Sequence, residues 1–254
     1  MSNQHLRNIL SAFETISLEE MDSVRLMNRV DTKFVFSYNQ LLDILPTLTE
    51  EYRILSIDNN LTPSYESVYY DDDNFFFYSE HHRRRKDRFK VRYRKYVESN
   101  LSFLEVKHKN KGRTDKNRII VDDLTKEMPE DHRKFVQSTG VPDINLKPVM
   151  TNTFNRITMV AKHSIERLTL DVNLTFEGNG KEKLMSDLVI AELKQQTASR
   201  KSPFYQALKK RQIRPYRISK YCIGMIKLMG EENIKYNRFK KKLLKLKKIR
   251  TNAA

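Results

Sequence analysis

Polar and apolar residues alternate along much of the chain with the period of two that is typical of a β-strand with two different faces. The stretch Arg29–Phe36 shows this pattern first, because its charged residues Arg29, Asp31 and Lys33 are separated by single residues. Similar alternation predicts further strands at Tyr52–Ile57, Ser64–Asp71, Arg88–Tyr96, Ser102–His108, Lys116–Val121, Asn152–Thr158, Leu168–Thr175 and Leu188–Leu193. The sequence therefore predicts a protein with about eight or nine strands.

Helical spacing of apolar residues occurs at the start of the chain and between the predicted strands. Residues 1–28 carry a rough apolar stripe from Ile9 to Met21, and Ser17 with Glu20 after it is a typical helix cap. Further helices are predicted at Tyr38–Leu45, Asp73–Glu80, Asp131–Thr139, Ser202–Lys210 and Ser219–Leu228. No internal repeat and no linker divides the body of the chain, so the pattern favours one α+β unit.

One face of several predicted strands carries most of their charge. Lys90, Arg92 and Arg94 follow one another in steps of two and therefore project from one face, whereas Val91 and Tyr93 project from the other. The arrangement recurs at Glu105–Lys109, Lys116–Arg118, Arg167–Asp171 and Glu192–Lys194. A solvated sheet face explains any one such strand. If the sheet closes, however, cations from several strands are buried together, which predicts a polyphosphate-like ligand.

The overall charge supports a polyanionic partner. The 254 residues include 48 Lys and Arg against 32 Asp and Glu, for a formal charge of +16. Nine basic residues and no acid lie between Lys235 and Arg250, and without them the charge is still +7. Three interpretations of this tail stay open: a solvated and poorly ordered helix, an exit guide for polyphosphate, or a helix that binds an anionic membrane surface.

The glycines, the single cysteine, the N-terminus and the histidines exclude several classes of protein. The six glycines match neither G-x-G-x-x-G nor G-x-x-x-x-G-K, so no glycine-rich phosphate loop is present. The single cysteine, Cys222, excludes an intrachain disulfide, and its apolar neighbours predict a buried thiol. The lack of a signal peptide and of a long apolar run predicts a cytoplasmic protein. His81 and His82 are predicted at the surface, and His108 is predicted on the face opposite Lys107.

The charged strand motifs, taken in order, resemble those of the triphosphate tunnel metalloenzymes, and most of all the bacterial stand-alone form of the polyphosphate polymerase domain of vacuolar transporter chaperone complexes. The resemblance rests on Arg29–Phe34, Tyr69–Asp71, Lys90–Arg94, Phe103–Lys107, Asn155–Arg156, Arg167–Asp171, Ala191–Lys194 and Ser219–Tyr221. It implies an α+β fold in which a closed antiparallel β-barrel tunnel of about eight strands is flanked by helices. It also implies an N-terminal helical segment at 1–28, a tunnel domain at 29–230 and a basic tail at 231–254.

The resemblance further implies roles for individual side chains. It makes Arg92, Arg94 and Lys220 the catalytic cations, and it makes Glu192 the ligand of a divalent metal, Mn²⁺ or Mg²⁺. The phosphate-binding residues that it implies are Lys33, Lys90, Lys107, Lys109, Arg118, Arg156, Arg167 and Lys194. Additional candidates on the same strand faces are Glu105, Lys116 and Asp171.

The first strand departs from the E-x-E-x-K pattern with which hydrolases of this superfamily begin, because Arg29 and Asp31 stand where two glutamates are expected. The departure favours an ATP-dependent polyphosphate polymerase, with ATP and inorganic polyphosphate as partners and no stable nucleic-acid complex. A tripolyphosphatase or nucleoside triphosphatase on the same scaffold is one alternative.

A non-enzymatic protein that binds RNA or an anionic membrane is the other alternative. In that case Phe89, Tyr93 and Tyr96 would stack on the bases of the nucleic acid. The alternation of the strand favours a different role for these three residues, as its apolar side.

Overall fold

The chain folds around a curled β-sheet, and the structure, a computed structural model, describes residues 2–22, 29–125 and 127–251. The strands are β1 Thr15–Ile16, β2 Val30–Ser37, β3 Tyr52–Leu55, β4 Ser64–Asp71, β5 Arg88–Tyr96, β6 Leu101–Asn110, β7 Arg113–Val121, β8 Lys147–Ala161, β9 Glu166–Gly178, β10 Lys181–Met185 and β11 Leu188–Gln195. The helices are α1 Ser2–Leu10, α2 Leu18–Asp22, α3 Tyr38–Ile44, α4 Phe76–His82, α5 Glu130–Ser138, α6 Pro203–Lys210, α7 Lys220–Met229 and α8 Lys240–Thr251. Short 3-10 segments cover Leu45–Leu48 and Asn237–Phe239.

The main path of the sheet runs in the order β2-β11-β9-β8-β4-β5-β6-β7, and every neighbouring pair along it is antiparallel. The short strands extend this path, since β10 pairs with β9, β3 pairs with β8, and β1 pairs in parallel with β3. Among the described residues no ladder joins β2 to β7, so the sheet is a curled half-barrel with two edges. The predicted α+β fold, with an antiparallel sheet of about eight strands and flanking helices in a tunnel-like arrangement, is confirmed. The predicted closure is not, because the sheet curls without a ladder between its two edge strands in the described part of the chain.

Apolar residues on one face of the strands pack under the helices. Phe34 of β2 meets Phe204 of α6 edge to face, with ring centroids 5.8 Å apart, and Leu41 of α3 joins the same cluster. Val91 of β5 belongs to a second cluster with Val136 of α5. Because successive residues of a strand point to opposite faces, the charged residues between these apolar ones point to the inside of the curl. We call this inner surface the concave face.

The N-terminal segment contains a strand that the helical stripe does not predict. Helices α1 and α2 are present, and Ser17 caps α2 as predicted, because its Oγ accepts from the Glu20 amide at 3.2 Å and its own amide donates to Glu20 Oε2 at 2.9 Å. Between them, Thr15 and Ile16 pair with Ile54 and Leu55. Two residues are too few for a periodic signal. Met1 and residues 23–28, which belong to the same predicted segment, lie outside the described residues.

The basic tail forms a helix that packs on the body of the protein. Leu243 and Leu246 of α8 are buried in the apolar cluster that includes Val91 and residues of α7. The lysines of α8 are mostly exposed. In the described part of the chain, no helix is long and apolar enough to cross a membrane. The domain borders after residues 28 and 230 stay predictions.

Candidate functional site on the concave face

Strand register brings charged residues of neighbouring strands side by side. Lys90 of β5 lies opposite Lys107 of β6, and Lys107 lies opposite Lys116 of β7. The next row combines Arg92 with Glu105. Directly paired residues share one face of a sheet, so the alternation within each strand produces rows of charge across several strands. Like charges directly opposite one another destabilise a sheet, and the rows therefore require counter-charges.

Glu105 supplies one counter-charge and is fully buried. Arg92 donates to its Oε2 from Nε at 2.8 Å and from Nη2 at 2.6 Å, and Lys116 pairs with Oε1. Arg92 Nη1 also donates to the Tyr69 hydroxyl at 3.0 Å. Burial opposes ionisation of Glu105, but the charges of Arg92, Arg94 and Lys116 outweigh it and lower its pKa. Glu105 is therefore a carboxylate that fixes two cations.

Asp171 of β9 plays the same part for cations from two other elements. Arg156 of β8 donates to it from Nε at 2.6 Å and from Nη2 at 2.9 Å, and Lys220 of α7 donates to Oδ2 at 2.6 Å. The Lys220 ammonium also lies 3.0 Å from the centroid of the Phe154 ring, and Arg156 lies 4.9 Å from that of Tyr65. Burial opposes ionisation of Asp171, but Arg156 and Lys220 together lower its pKa.

Glu192 of β11 is the third carboxylate of the concave face. It lies opposite Lys33 in the ladder with β2 and pairs with that lysine through Oε1. Lys194 donates to its Oε2 at 2.9 Å. Burial opposes ionisation of Glu192, but Lys194 and Lys33 lower its pKa well below the usual range.

The cations outnumber these carboxylates. Arg94 is buried, and its Nε donates to the Ser67 hydroxyl at 3.1 Å, while Lys90 donates to the Ser219 hydroxyl at 3.0 Å. The charge of Arg92, together with burial, lowers the pKa of Lys107 well below its usual range. The nine cations, which we call the tunnel cluster, are Lys33, Lys90, Arg92, Arg94, Lys107, Lys116, Arg156, Lys194 and Lys220. Because buried charge is costly without a counter-ion, this surface suits a polyanion with several oxygens.

Most of the cations predicted from the sequence belong to the tunnel cluster, but three do not. Lys109 lies at the end of the concave face, opposite Arg88 in the ladder. Arg118 is exposed on the edge strand β7. Arg167 shares a face with Lys194, but its Nη2 donates to the carbonyl of Met21 at 3.3 Å. For these three residues a role in phosphate binding stays a prediction.

Neutral residues of the concave face were not predicted from the sequence. Tyr69 and Ser67 of β4 accept hydrogen bonds from Arg92 and Arg94. Tyr65, two residues before Ser67, stacks with Phe154 at a centroid distance of 5.3 Å. Their alternation in the sequence could have predicted this position, because Tyr65, Ser67 and Tyr69 follow the same two-residue spacing as the cations of β5.

The prediction that His81 and His82 lie at the surface was wrong. His82 is buried, with its Nε2 2.6 Å from Asn237 Oδ1, and the half-buried His81 accepts from Arg88 Nε at 3.2 Å. His82 is buried because α4 packs against the 3-10 segment before α8, a long-range contact that no local pattern contains. His108 is on the face opposite Lys107 as predicted.

Two of the three aromatic residues of β5 form its apolar side, as the alternation predicted. Phe89 stacks on His108 with centroids 4.1 Å apart. Tyr93 is fully buried, and its hydroxyl lies 2.7 Å from His132 Nδ1. Tyr96 departs from the prediction, because it follows Arg94 by two residues and lies on the concave face opposite Tyr65, where it packs edge to face on Phe103. Their ring faces are occupied by protein, which disfavours stacking on nucleic-acid bases.

The chemistry of the donor set suits a metal ion that is shared with a phosphate ligand. Among the described residues, no group of three His, Cys, Asp or Glu could hold a metal ion. Thr169, which lies opposite Glu192 in the ladder, has a buried hydroxyl without a hydrogen-bond partner in the described part of the chain. Mg²⁺ is usually held by one or two carboxylates together with substrate phosphates and water. Glu192 and the Thr169 hydroxyl fit that pattern.

The curled antiparallel sheet with its cation-rich concave face is a tunnel-like fold, which solved structures of other proteins share. A candidate adenylate cyclase from Bacillus halodurans superposes with a TM-score of 0.50 at 12% identity, covering 76% of this chain and 94% of its own. HpAC1 from Hippeastrum, a candidate adenylyl cyclase with a dominant triphosphatase activity, gives 0.50 at 16% identity, covering 78% and 95%. At these identities the likeness concerns the fold.

The family of the chain follows from its sequence. The VTC domain family model matches residues 28–229, which include every residue of the tunnel cluster. The protein belongs to the VTC domain family, as the resemblance of its strand motifs implied. No curated protein sequence matches the chain.

Proposed function

We propose that the protein is a metal-dependent phosphotransferase that moves the γ-phosphoryl group of ATP onto a growing inorganic polyphosphate chain. The observation that carries the proposal is the excess of cations over carboxylates on the concave face, where nine lysines and arginines, most of them buried or half-buried, accompany Glu105, Asp171 and Glu192. Such an excess suits a ligand with many phosphate oxygens better than it suits a small anion. Membership of the VTC domain family supports the same assignment.

The carboxylates of the concave face orient the cations for phosphoryl transfer. Glu105 and Asp171 hold the guanidinium groups of Arg92 and Arg156 in fixed orientations through paired hydrogen bonds. Cations that are already in place stabilise developing charge on phosphate oxygens without reorganisation. Phosphoryl transfer depends mainly on such positioning and charge neutralisation. Arg92, Arg94 and Lys220 are the residues that we place around the transferred group.

The acceptor in this proposal needs no general base. The terminal oxygen of a polyphosphate chain is already anionic, so it can form the new bond to the γ-phosphorus while the bond to the bridging oxygen breaks and ADP leaves. When bound, Mn²⁺ or Mg²⁺ supplies charge neutralisation at the phosphate oxygens, and Glu192 and Thr169 are the protein groups that would hold it. The lack of a catalytic histidine among the tunnel residues agrees with this scheme.

Hydrolysis of triphosphate is the second candidate, because HpAC1, with the same fold, has a dominant triphosphatase activity. A hydrolase must hold and deprotonate a water molecule, which usually requires carboxylates at the site. In this protein Asp31 pairs with Arg29, whose Nε lies 3.0 Å from Oδ1, and it lies opposite Lys194 in the ladder. Its charge is thereby offset, which favours transfer to phosphate over transfer to water.

Incubation of the protein with ATP and Mn²⁺ or Mg²⁺ tests the proposal, with products separated on a gel that resolves polyphosphate lengths. We expect chains that grow with time and ADP released in step. Arg92→Met should remove this activity, whereas Lys134→Gln on the exposed side of α5 should keep it. Release of orthophosphate alone, with no chain longer than the substrate, would assign the protein to the hydrolases.

We also expect tripolyphosphate binding to be linked to proton uptake in alkaline solution. The charge of Arg92 and burial lower the pKa of Lys107 in the unliganded protein, so the side chain loses its proton at a lower pH than an exposed lysine does. A bound anion reverses the effect of Arg92, raises the pKa and draws a proton onto Lys107. Calorimetry in buffers of different ionisation enthalpy measures this uptake. Lys107→Met should reduce the proton uptake by the share of this lysine, and equal uptake in that variant would contradict the assignment.

A further inference from the structure

A second group of cations continues from one end of the tunnel cluster. Arg88, the first residue of β5, lies opposite Lys109 near the end of β6. They share the concave face with Lys90 and Lys107, because each lies two residues away along its own strand. Two like charges directly opposite one another are unfavourable without an anion between them.

His81 of α4 contacts Arg88 of this group. Arg88 Nε donates to its Nε2 at 3.2 Å, so the imidazole accepts and is neutral in this arrangement. Burial and the charges of Lys90, Arg88, Lys109 and Lys242 lower the pKa of His81. A histidine that stays neutral adds no repulsion to this surface and offers a hydrogen-bonding group to a ligand.

Helix α8 and the segment before α7 complete the group. Lys242 donates to the Arg217 carbonyl at 2.6 Å, and Lys245 lies 4.5 Å from the centroid of the Tyr216 ring. The Tyr216 amide in turn donates to the carbonyl of Lys33, a tunnel residue, at 2.6 Å. The helix is therefore fixed beside the end of the tunnel. It lies outside residues 28–229, which the family model matches.

The charges of this second group are not neutralised by the protein. Within the described ranges of the chain, no carboxylate pairs with Lys109, Arg217 or Lys242. Arg217 is exposed, and Lys109 and Lys242 are partly exposed, so a ligand can reach them. The feature is thus an accessible cationic surface continuous with a buried one.

A membrane surface is a poorer partner for α8 than a dissolved polyanion. Helices that bind membranes insert an apolar face into the lipid headgroup region. Leu243 and Leu246 of α8, and Phe239 before it, are buried against the protein. Leu244 is exposed, but the residues three and four positions from it on the helix surface are all lysines. The apolar face of the helix is therefore unavailable for insertion.

We propose that His81, Arg88, Lys109, Arg217 and Lys242, which we call the exit cluster, bind the part of a polyphosphate chain that extends beyond the tunnel. The inference rests on the proposed function, because it assigns a second binding segment to the same polymer. Lys90 connects the two surfaces, because it lies two residues from Arg88 on the same face of β5 and donates to the Ser219 hydroxyl at 3.0 Å, two residues after Arg217. A short triphosphate fills the tunnel alone, whereas a long chain occupies both surfaces.

Binding measurements with two ligands test the exit cluster: tripolyphosphate and long-chain polyphosphate, each titrated over a range of salt concentrations. The test variant is Arg217→Gln/Lys242→Gln. The matched control is Lys241→Gln/Lys248→Gln, which removes the same charge from exposed positions on the other side of α8. We expect the test variant to bind long chains about tenfold more weakly. The slope of its log affinity against log salt concentration should be smaller by the amount that about two phosphate contacts contribute. Its affinity for tripolyphosphate should equal that of the wild type, as should both affinities of the control.

Any other outcome contradicts either the exit cluster or the proposed function on which it rests. Equal losses in the test and control variants would mean non-specific attraction to the basic tail. Unchanged long-chain binding in the test variant, with loss of binding to phosphatidylserine vesicles, would make α8 a membrane contact. If the wild type bound neither phosphate ligand, the proposed function itself would fail, and the exit cluster with it. Thermal unfolding of both variants shows whether α8 remains packed.

Discussion

Replacement of Arg94 by methionine is expected to stabilise the unliganded protein while lowering its turnover of ATP by about 10²–10³-fold. Arg94 is 7% exposed, and its Nε donates to the neutral Ser67 hydroxyl. In the part of the chain that the structure describes, no carboxylate pairs with it. Burial and the charge of Arg92 both act against the charged form of Arg94 and lower its pKa. Methionine keeps much of the buried stem without the charge.

The gain in the free energy of unfolding should be about 1 kcal/mol, as for other stabilising changes at binding sites. Urea denaturation without phosphate measures it, and steady-state ATP turnover measures the loss. The comparison is Arg92→Met, which removes the hydrogen-bonded partner of the buried Glu105 and should cost about 3–5 kcal/mol. If Arg94→Met and Arg92→Met were equally destabilising, the charge of Arg94 would not lack a counter-ion in the folded protein.

Glu192→Gln is expected to abolish metal-dependent turnover and to leave tripolyphosphate binding without metal intact or tighter. The neutral amide cannot hold a hard divalent cation as a carboxylate does. The same change frees Lys33 and Lys194, which both pair with this carboxylate in the unliganded protein. Their charges then become available to phosphate oxygens. The loss of metal affinity and the gain in phosphate affinity therefore have one cause.

Titration of Mn²⁺ into the protein with bound tripolyphosphate, followed by electron paramagnetic resonance, gives a readout that is independent of activity. Glu182→Gln on the exposed strand β10 is the matched control and should bind Mn²⁺ like the wild type. Retained turnover and metal binding in Glu192→Gln would move the metal ligand to Glu105 or Asp171. Those two carboxylates are the ones that pair with the other cations of the tunnel cluster.

The local pattern of the sequence determined the strands and the sorting of residues between their faces. The predicted bounds of β4 and β5 agree with the structure, because side chains alternate in any extended backbone. The same rule placed Lys90, Arg92 and Arg94 on one face and Val91 and Tyr93 on the other. It missed β10, whose residues Lys181–Met185 are mostly polar and exposed on both faces.

Only the tertiary structure decided which charges meet. Arg156, Asp171 and Lys220 come from β8, β9 and α7, and their contact depends on the order in which the strands pair and on where α7 packs. The placement of β11 between β2 and β9 brings Glu192 to Lys33 across 159 residues of chain. Strand order, register and the curl of the sheet follow from long-range packing of the apolar faces, which is why a period of two reveals the charged face but not its ion pairs.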